Sequence, residues 1–143
     1  MKLDFSYFAN IIPQDMYSRT KAHICRYMAI FEPEEYVLGK SLRVDDYHFL
    51  LFFSEAPATK INDCTYKPRK GSLLVIQPWE EVYGVPDETK KNYERYLHIA
   101  VEKSFFQRVA KGAAGGGEYE FKRVHNVYSK QLLDLIGNYQ REM

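Results

Sequence analysis

Four histidines, two cysteines and the adjacent carboxylates Glu80 and Glu81 are the obvious candidates for covalent, acid-base or metal chemistry in this 143-residue sequence. Cys25 and Cys64 are too few and too unpatterned for a disulfide framework or a zinc site. Glu80 and Glu81 are neighbours, which in a strand or turn sends them in different directions; they make a poor general acid/base couple and read as solvated charge. His125 and Cys25 have no visible partners, so neither a Ser-His-Asp nor a Cys-His nucleophile can be assembled. The run GAAGGG (112–117) follows a helical stretch rather than a strand and lacks the Lys-Ser/Thr ending of a phosphate cradle. Binding chemistry remains. Twelve tyrosines against nine phenylalanines supply many rings with a polar handle, which either line a ligand cavity or stand at the rim of a small β-barrel.

The elements that must position these rings are mostly strands. AHICRYMAIFEP (22–33) and YVLGKSLRV (36–44) are short β-compatible runs closed by Pro33 and by a turn at Gly39. DDYHFLLFFSE puts Tyr47, Phe49, Leu51 and Phe53 on one face and His48, Leu50 and Phe52 on the other, so this strand is predicted to be buried on both faces. A hairpin turning at Asn62-Asp63 follows, then GSLLVIQPWEEVYG (71–84): a strand, a Gln-Pro corner and a second short strand. Past a polar loop (85–92), YERYLHIAV sets Tyr96, His98 and Ala100 against Leu97, Ile99 and Val101. Seven or so short strands predict a closed or sandwiched antiparallel domain. The period then changes. Ser104 is placed to cap a helix FFQRVAK ending at Gly112, and Ser129 to cap KQLLDLIGNYQREM, whose Tyr128, Leu132, Leu135, Ile136, Tyr139 and Met143 form one apolar stripe. That stripe fits packing onto the barrel as well as a seam between subunits.

Composition narrows the function classes. With 45% hydrophobic and 27% charged residues the chain reads as one globular domain. No apolar run approaches the ~20 residues of a membrane span, and the N-terminus lacks the apolar core of a signal peptide, so a cytoplasmic setting is expected. Twenty basic and nineteen acidic residues give a net +1 with no block of like charge, which lacks the electrostatic footprint of a nucleic-acid surface.

The order of DYHFLLFFSEAPATKINDCTYKPRKGSLLVIQPWEEVYG, YLHIAVEKSFFQRV and YSKQLLDLIGNYQRE, over roughly residues 36 to 143, resembles the cupin fold and in particular the N-terminal sensor and dimerisation domain of AraC-type transcriptional regulators. The strand opening is Gly71-Ser72 where that family has a glycine-acid pair. Metal-using cupins supply a His-x-His pair with a downstream Glu and a further His beyond the proline corner. Here His48 stands alone in the first region, and Trp79, Glu80, Glu81 and Val82 follow Pro78, so no metal and no cofactor is expected.

The resemblance implies a mainly β, cupin-like antiparallel barrel (jelly-roll) over residues 21–103, preceded by an arm (1–20) and followed by a helical dimerisation segment (104–143). It implies a non-enzymatic domain that binds a small polar, sugar-like effector. Tyr83 resembles a pocket aromatic of the family's sugar-responsive member, and Tyr96 and His98 resemble positions on the next inward-facing strand. His48 is a candidate for the same cavity and Trp79 for its mouth; a core or rim place is the competing reading for each. Leu132, Leu135, Ile136 and Tyr139 are the candidate homodimer seam. The arm, with Phe5, Tyr7 and Phe8, is expected to fold over the pocket when effector binds, and a helix-turn-helix DNA-binding domain is expected beyond Met143. The rival expectation is a free-standing cupin enzyme, an isomerase or dioxygenase, with a metal on His48, His98 and a carboxylate.

Overall fold

A computed structural model of the chain describes residues 11–12, 14–86, 96–113 and 123–142. Among the described residues, ten strands form two antiparallel sheets. The larger contains, in spatial order, β1 (Thr20–Ile24), β2 (Met28–Pro33), β9 (Tyr96–Glu102), β4 (Asp46–Phe52), β7 (Ser72–Ile76) and β10 (His125–Val127). The smaller contains β3 (Ser41–Leu42), β8 (Val82–Gly84), β5 (Thr59–Ile61) and β6 (Cys64–Tyr66). Neighbours in each sheet are mostly distant in sequence, as the crossing connections of a jelly roll require. The mainly β, cupin-like architecture with C-terminal helices is thus the one expected.

Register decides what each face carries. His48 lies opposite Ala100 and Leu50 opposite His98, while Phe31 lies opposite His98 and Leu74 opposite Leu50. Strand side chains alternate, so His48, Leu50, His98, Ala100, Phe31, Leu74 and Ile76 all point towards the smaller sheet. They meet Ile61, Val82 and Leu42 there. The opposite face carries Met28, Ile30, Phe49, Leu51, Leu73, Ile99 and Val101, packed with Phe105, Phe106, Tyr128, Leu132, Leu133 and Ile136. The two-sided apolarity of the central strand therefore has two partners: a sheet on one side and helices on the other.

Several local expectations change. The run 22–33 is two strands, because Cys25 N–H donates to Met28 C=O at 2.8 Å and turns the chain between β1 and β2. Only Ser41–Leu42 of the run 36–44 is strand. Helix α1 (Lys103–Ala113) is capped by Glu102 rather than by Ser104: its Oε1 accepts from Ser104 N–H at 2.9 Å and its Oε2 from Phe105 N–H at 3.2 Å. A carboxylate satisfies free helix amides as a hydroxyl does and also favours the positive end of the helix dipole. Helix α2 (Lys130–Glu142) is capped as expected, with Leu132 N–H donating to Ser129 Oγ at 3.1 Å. The segment 104–143 is not wholly helical, since β10 joins the edge of the larger sheet. There His125 Nε2 lies 2.8 Å from Ser72 Oγ, giving that histidine the partner the sequence had not revealed.

The Asn62-Asp63 hairpin turn forms as predicted, with Ile61 opposite Cys64 and Asn62 at φ 53°. The part of the N-terminal arm that is described is docked. Ile11, Ile12 and Met16 belong to the core cluster containing Ala29, Phe31 and Ala100, and Gln14–Arg19 forms a 3-10 helix leading into β1. Phe5, Tyr7 and Phe8 lie outside the described residues. No helix among the described residues is long and apolar enough to cross a membrane.

Candidate functional site

Between the sheets lies a cavity of about 40 Å³. Its walls come from every layer: Leu50 and His98 from the larger sheet, Val82 and Gly84 from the smaller, Tyr36 from the preceding loop and Ile11 from the arm. Gly84 is required where it stands, because a Cβ there would lie 2.2 Å from the Val37 carbonyl oxygen. That close approach brings the Tyr36 loop against β8.

His48 and His98 occupy diagonal positions on adjacent strands, within reach of each other's rings. Their nitrogens, His48 Nδ1 and His98 Nε2, are 2.9 Å apart, with the rings at 73°. They are 2% and 6% exposed. Burial strips the water that would stabilise an imidazolium, lowering the pKa of His48 to about 4. Burial also pulls His98 well below the ordinary histidine range, and the neighbouring His48 adds to the effect. Both rings are therefore neutral at pH 7, and one N–H donates to the other's lone pair. His48 Nε2 is buried with no hydrogen-bond partner. This pair is a polar element, with one nitrogen unsatisfied, buried between apolar neighbours.

Beside it stands an aromatic cluster. Tyr36 Oη and Thr59 Oγ1 share a hydrogen bond of 2.6 Å, and Thr59 Oγ1 also reaches Pro57 C=O at 3.2 Å. The Tyr96 ring meets Tyr36 edge-on with centroids 4.8 Å apart and stacks on Phe52 at 5.9 Å. Burial raises the pKa of both phenols; the Thr59 bond partly offsets this for Tyr36, while for Tyr96 proximity to Tyr36 adds to it and the Val37 backbone offsets it. They serve as neutral donors and acceptors. Of the candidate ligand residues, Tyr96 and His98 line the cavity, and His48 supports it from behind through His98.

Tyr83 and Trp79 stand elsewhere. Val82 and Gly84 turn inward, so alternation puts Tyr83 on the outer face of β8, between Ser41 and Lys60. Trp79 is 55% exposed on the corner after β7, with φ 66°, and does not line the cavity. Its backbone is held from both sides: Trp79 N–H donates to Val44 C=O at 2.9 Å, and Arg43 Nε donates to Trp79 C=O at 2.8 Å. Glu80 is more than the solvated charge expected. Its carboxylate accepts from Gln77 N–H at 2.6 Å and from Asn62 Nδ2 at 3.1 Å, locking the proline corner to the hairpin turn.

Tyr36, Thr59 and Ile11 are site residues that sequence reasoning missed. Tyr36 and Ile11 lie outside the strands and Thr59 opens the three-residue strand β5, too short to show a period in the sequence, so their convergence is a property of the assembled sheets. Among the described residues no group of three His, Cys, Asp or Glu side chains is placed to hold a metal ion.

The proposed seam residues on α2 divide. Ile136 is 8% exposed and Leu132 is half-buried, both packed against the larger sheet, whereas Leu135 is 66% exposed. The Tyr139 side chain lies outside the description.

No family model and no curated protein matches the sequence. Among solved structures, the chain is similar to the cupin domain of Schizosaccharomyces pombe Cnp3 at 8% identity and TM-score 0.48, covering 70% of this chain and 72% of that one. It is also similar to the plu4264 protein of Photorhabdus luminescens at 12% identity and TM-score 0.45, covering 69% and 94%. The EutQ protein of Clostridium difficile aligns at 13% identity and TM-score 0.43, over 58% and 66%.

Proposed function

We propose that this cupin-like chain is the effector-sensing and dimerisation part of an AraC-type transcriptional regulator, taking a small polar molecule between its two sheets. The observation that carries the reading is the arm residue Ile11 in the wall of the inter-sheet cavity. Ile11 lines a space whose other walls present Tyr36, Tyr96 and His98. At about 40 Å³ the space admits a few waters and not a sugar, given that one water needs roughly 10–15 Å³ of such volume. An effector therefore enters by displacing Ile11, and the arm's position reports occupancy. Thermodynamically the effector shifts the arm equilibrium by the difference of its affinities for the two arm states, and by no more than that.

The enzyme reading asks His48 and His98 to turn to a metal with a carboxylate. Their mutual hydrogen bond of 2.9 Å engages one nitrogen of each ring, which favours binding over metal chemistry. The dimerisation half of the proposal rests on the exposed Leu135 of α2.

A thermal-shift panel of monosaccharides, polyols and hydroxy acids tests the sensor. A stabilising compound should lose its effect in Tyr96→Phe or His98→Gln; a compound that stabilises these variants equally refutes the site. Following the reading frame past codon 143 tests the regulator: a helix-turn-helix unit is expected, and a stop codon there refutes that assignment.

A further inference from the structure

The polar groups around the inter-sheet cavity are uneven in what they offer. Among the described residues that line it, Lys40, exposed at the rim, carries the only charge, and no carboxylate is present. A cation would find nothing there to pair with, whereas an anion would find a partner.

Hydrogen positions sharpen the contrast. Thr59 Oγ1 lies 3.2 Å from Pro57 C=O, and a carbonyl only accepts, so the threonine donates there and the Tyr36 O–H donates to Thr59 Oγ1 at 2.6 Å. The Tyr36 oxygen keeps a lone pair and suits a ligand hydroxyl. Tyr96 is the converse. Burial and the neighbouring Tyr36 raise its pKa, and the Val37 backbone opposes them. A backbone group does so by donating its N–H to the phenol oxygen, which favours the charged form and leaves the Tyr96 O–H for an occupant.

The histidine pair adds a second donor. His48 Nδ1 and His98 Nε2 share one hydrogen over 2.9 Å, and His48 Nε2 is buried without a partner. Were the shared hydrogen supplied by His98, His48 would carry its own on Nε2, a stranded N–H of the kind native interiors avoid. Supplied by His48, it leaves Nε2 of that ring as a bare lone pair and puts the His98 hydrogen on Nδ1, the nitrogen that His48 does not engage. This arrangement strands no donor.

As a refinement of the effector reading, on which it rests, we infer that the inter-sheet site takes a small organic acid as its carboxylate, held by the Tyr96 O–H, the His98 Nδ1–H and the Lys40 ammonium. His48 is a positioning residue that keeps His98 in the donating tautomer. A carboxylate leaving water for these partners exchanges its hydration for charge-assisted hydrogen bonds, which its neutral amide forms only weakly.

Formate, acetate, glycolate and lactate, each beside its own amide, test the inference on the full chain by NMR titration at pH 7.5. At least one acid is expected to shift the Ile11 methyl resonances saturably and to bind about tenfold or more tighter than its amide. Tyr96→Phe should weaken that acid about tenfold, and Lys40→Gln, at an exposed position, about threefold. Imidazole nitrogen shifts of the loaded protein should place the His98 hydrogen on Nδ1. Amides that shift Ile11 at the same concentrations as their acids overturn the carboxylate assignment and leave the effector reading standing. So does acid binding undiminished in Lys40→Gln and in a folded Tyr96→Phe, or a loaded protein whose His98 hydrogen is on Nε2. If Tyr96→Phe does not fold, Lys40→Gln and the His98 tautomer decide. Ile11 unmoved by these acids and amides and by the monosaccharides and polyols overturns the effector reading together with the assignment.

Discussion

Acidification should weaken this fold in a window set by the buried histidine pair. In the unfolded chain each imidazole takes a proton near its ordinary pKa of 6.5; in the folded chain His48 does so only near 4. Between those values the unfolded state binds more protons, so stability falls as pH falls, and below about pH 4 the contribution of His48 levels off. A lowering from 6.5 to about 4 corresponds to about 3 kcal/mol in total, of which about 2 kcal/mol is already lost at pH 5. His98 shifts in the same direction, so the pair loses more than His48 alone. Against a margin of about 5–15 kcal/mol this is a large fraction of the total.

The assay is urea unfolding at pH 7.5 and pH 5.0, followed by tyrosine fluorescence, on the wild type and on His48→Leu/His98→Leu. Removing both partners together avoids stranding one of them, so the double variant should stay folded and lose most of the pH dependence. Equal wild-type stability at the two pH values would show that the rings are hydrated or charged in the native state. A double variant that keeps the full slope would place the titrating groups elsewhere. Either result refutes the neutral, buried pair.

Three further outcomes follow from single contacts. Thr59→Val removes the partner of the buried Tyr36 hydroxyl and should cost about 1–3 kcal/mol in urea unfolding. Gly84→Ala drives a methyl into the Val37 carbonyl and should cost about 3 kcal/mol or more, since backbone rather than a flexible side chain must give way. Trp79→Gly relieves a left-handed conformation at φ 66° worth about 1–2 kcal/mol, partly offset by the freedom glycine gains on unfolding, so the melting temperature should rise. An unchanged or lower value would mean that the indole itself makes compensating contacts.

How much of this was legible depended on range. Apolar residues on both faces of Tyr47–Phe53 announced two layers of partners, and the sheet and the helices supply them. Alternation put Tyr96 and His98 on one face correctly, because period two is a property of the strand alone. Tyr83 was assigned by likeness to a pocket position, whereas the register with Lys60 and Ser41 turns it outward. The capping of α1 by Glu102 was hidden because Ser104 is the better capper by type, and only the exact end of β9 decides between them. The His48–His98 contact spans fifty positions and exists only once β4 and β9 pair. No local pattern encodes such a contact. The docking of Ile11 and Ile12 was likewise a matter of the assembled barrel, in which the arm finds Phe31 and Ala100.

One strand joins the inter-sheet site to the helices. On β4, His48 and Leu50 face the inter-sheet side, while Phe49 and Leu51 pack with Phe106, Leu132 and Ile136 of α1 and α2. A close-packed sheet cannot move one face without moving the other, because side chains on alternate residues share the same backbone. If the proposed effector displaces β9 at Tyr96 and His98, it therefore shifts Ile99 and Val101, the alternate residues of the same strand, which pack with Ile136 of α2. The coupling is equal in both directions: whatever fixes α2 changes the energy of binding between the sheets by the same amount.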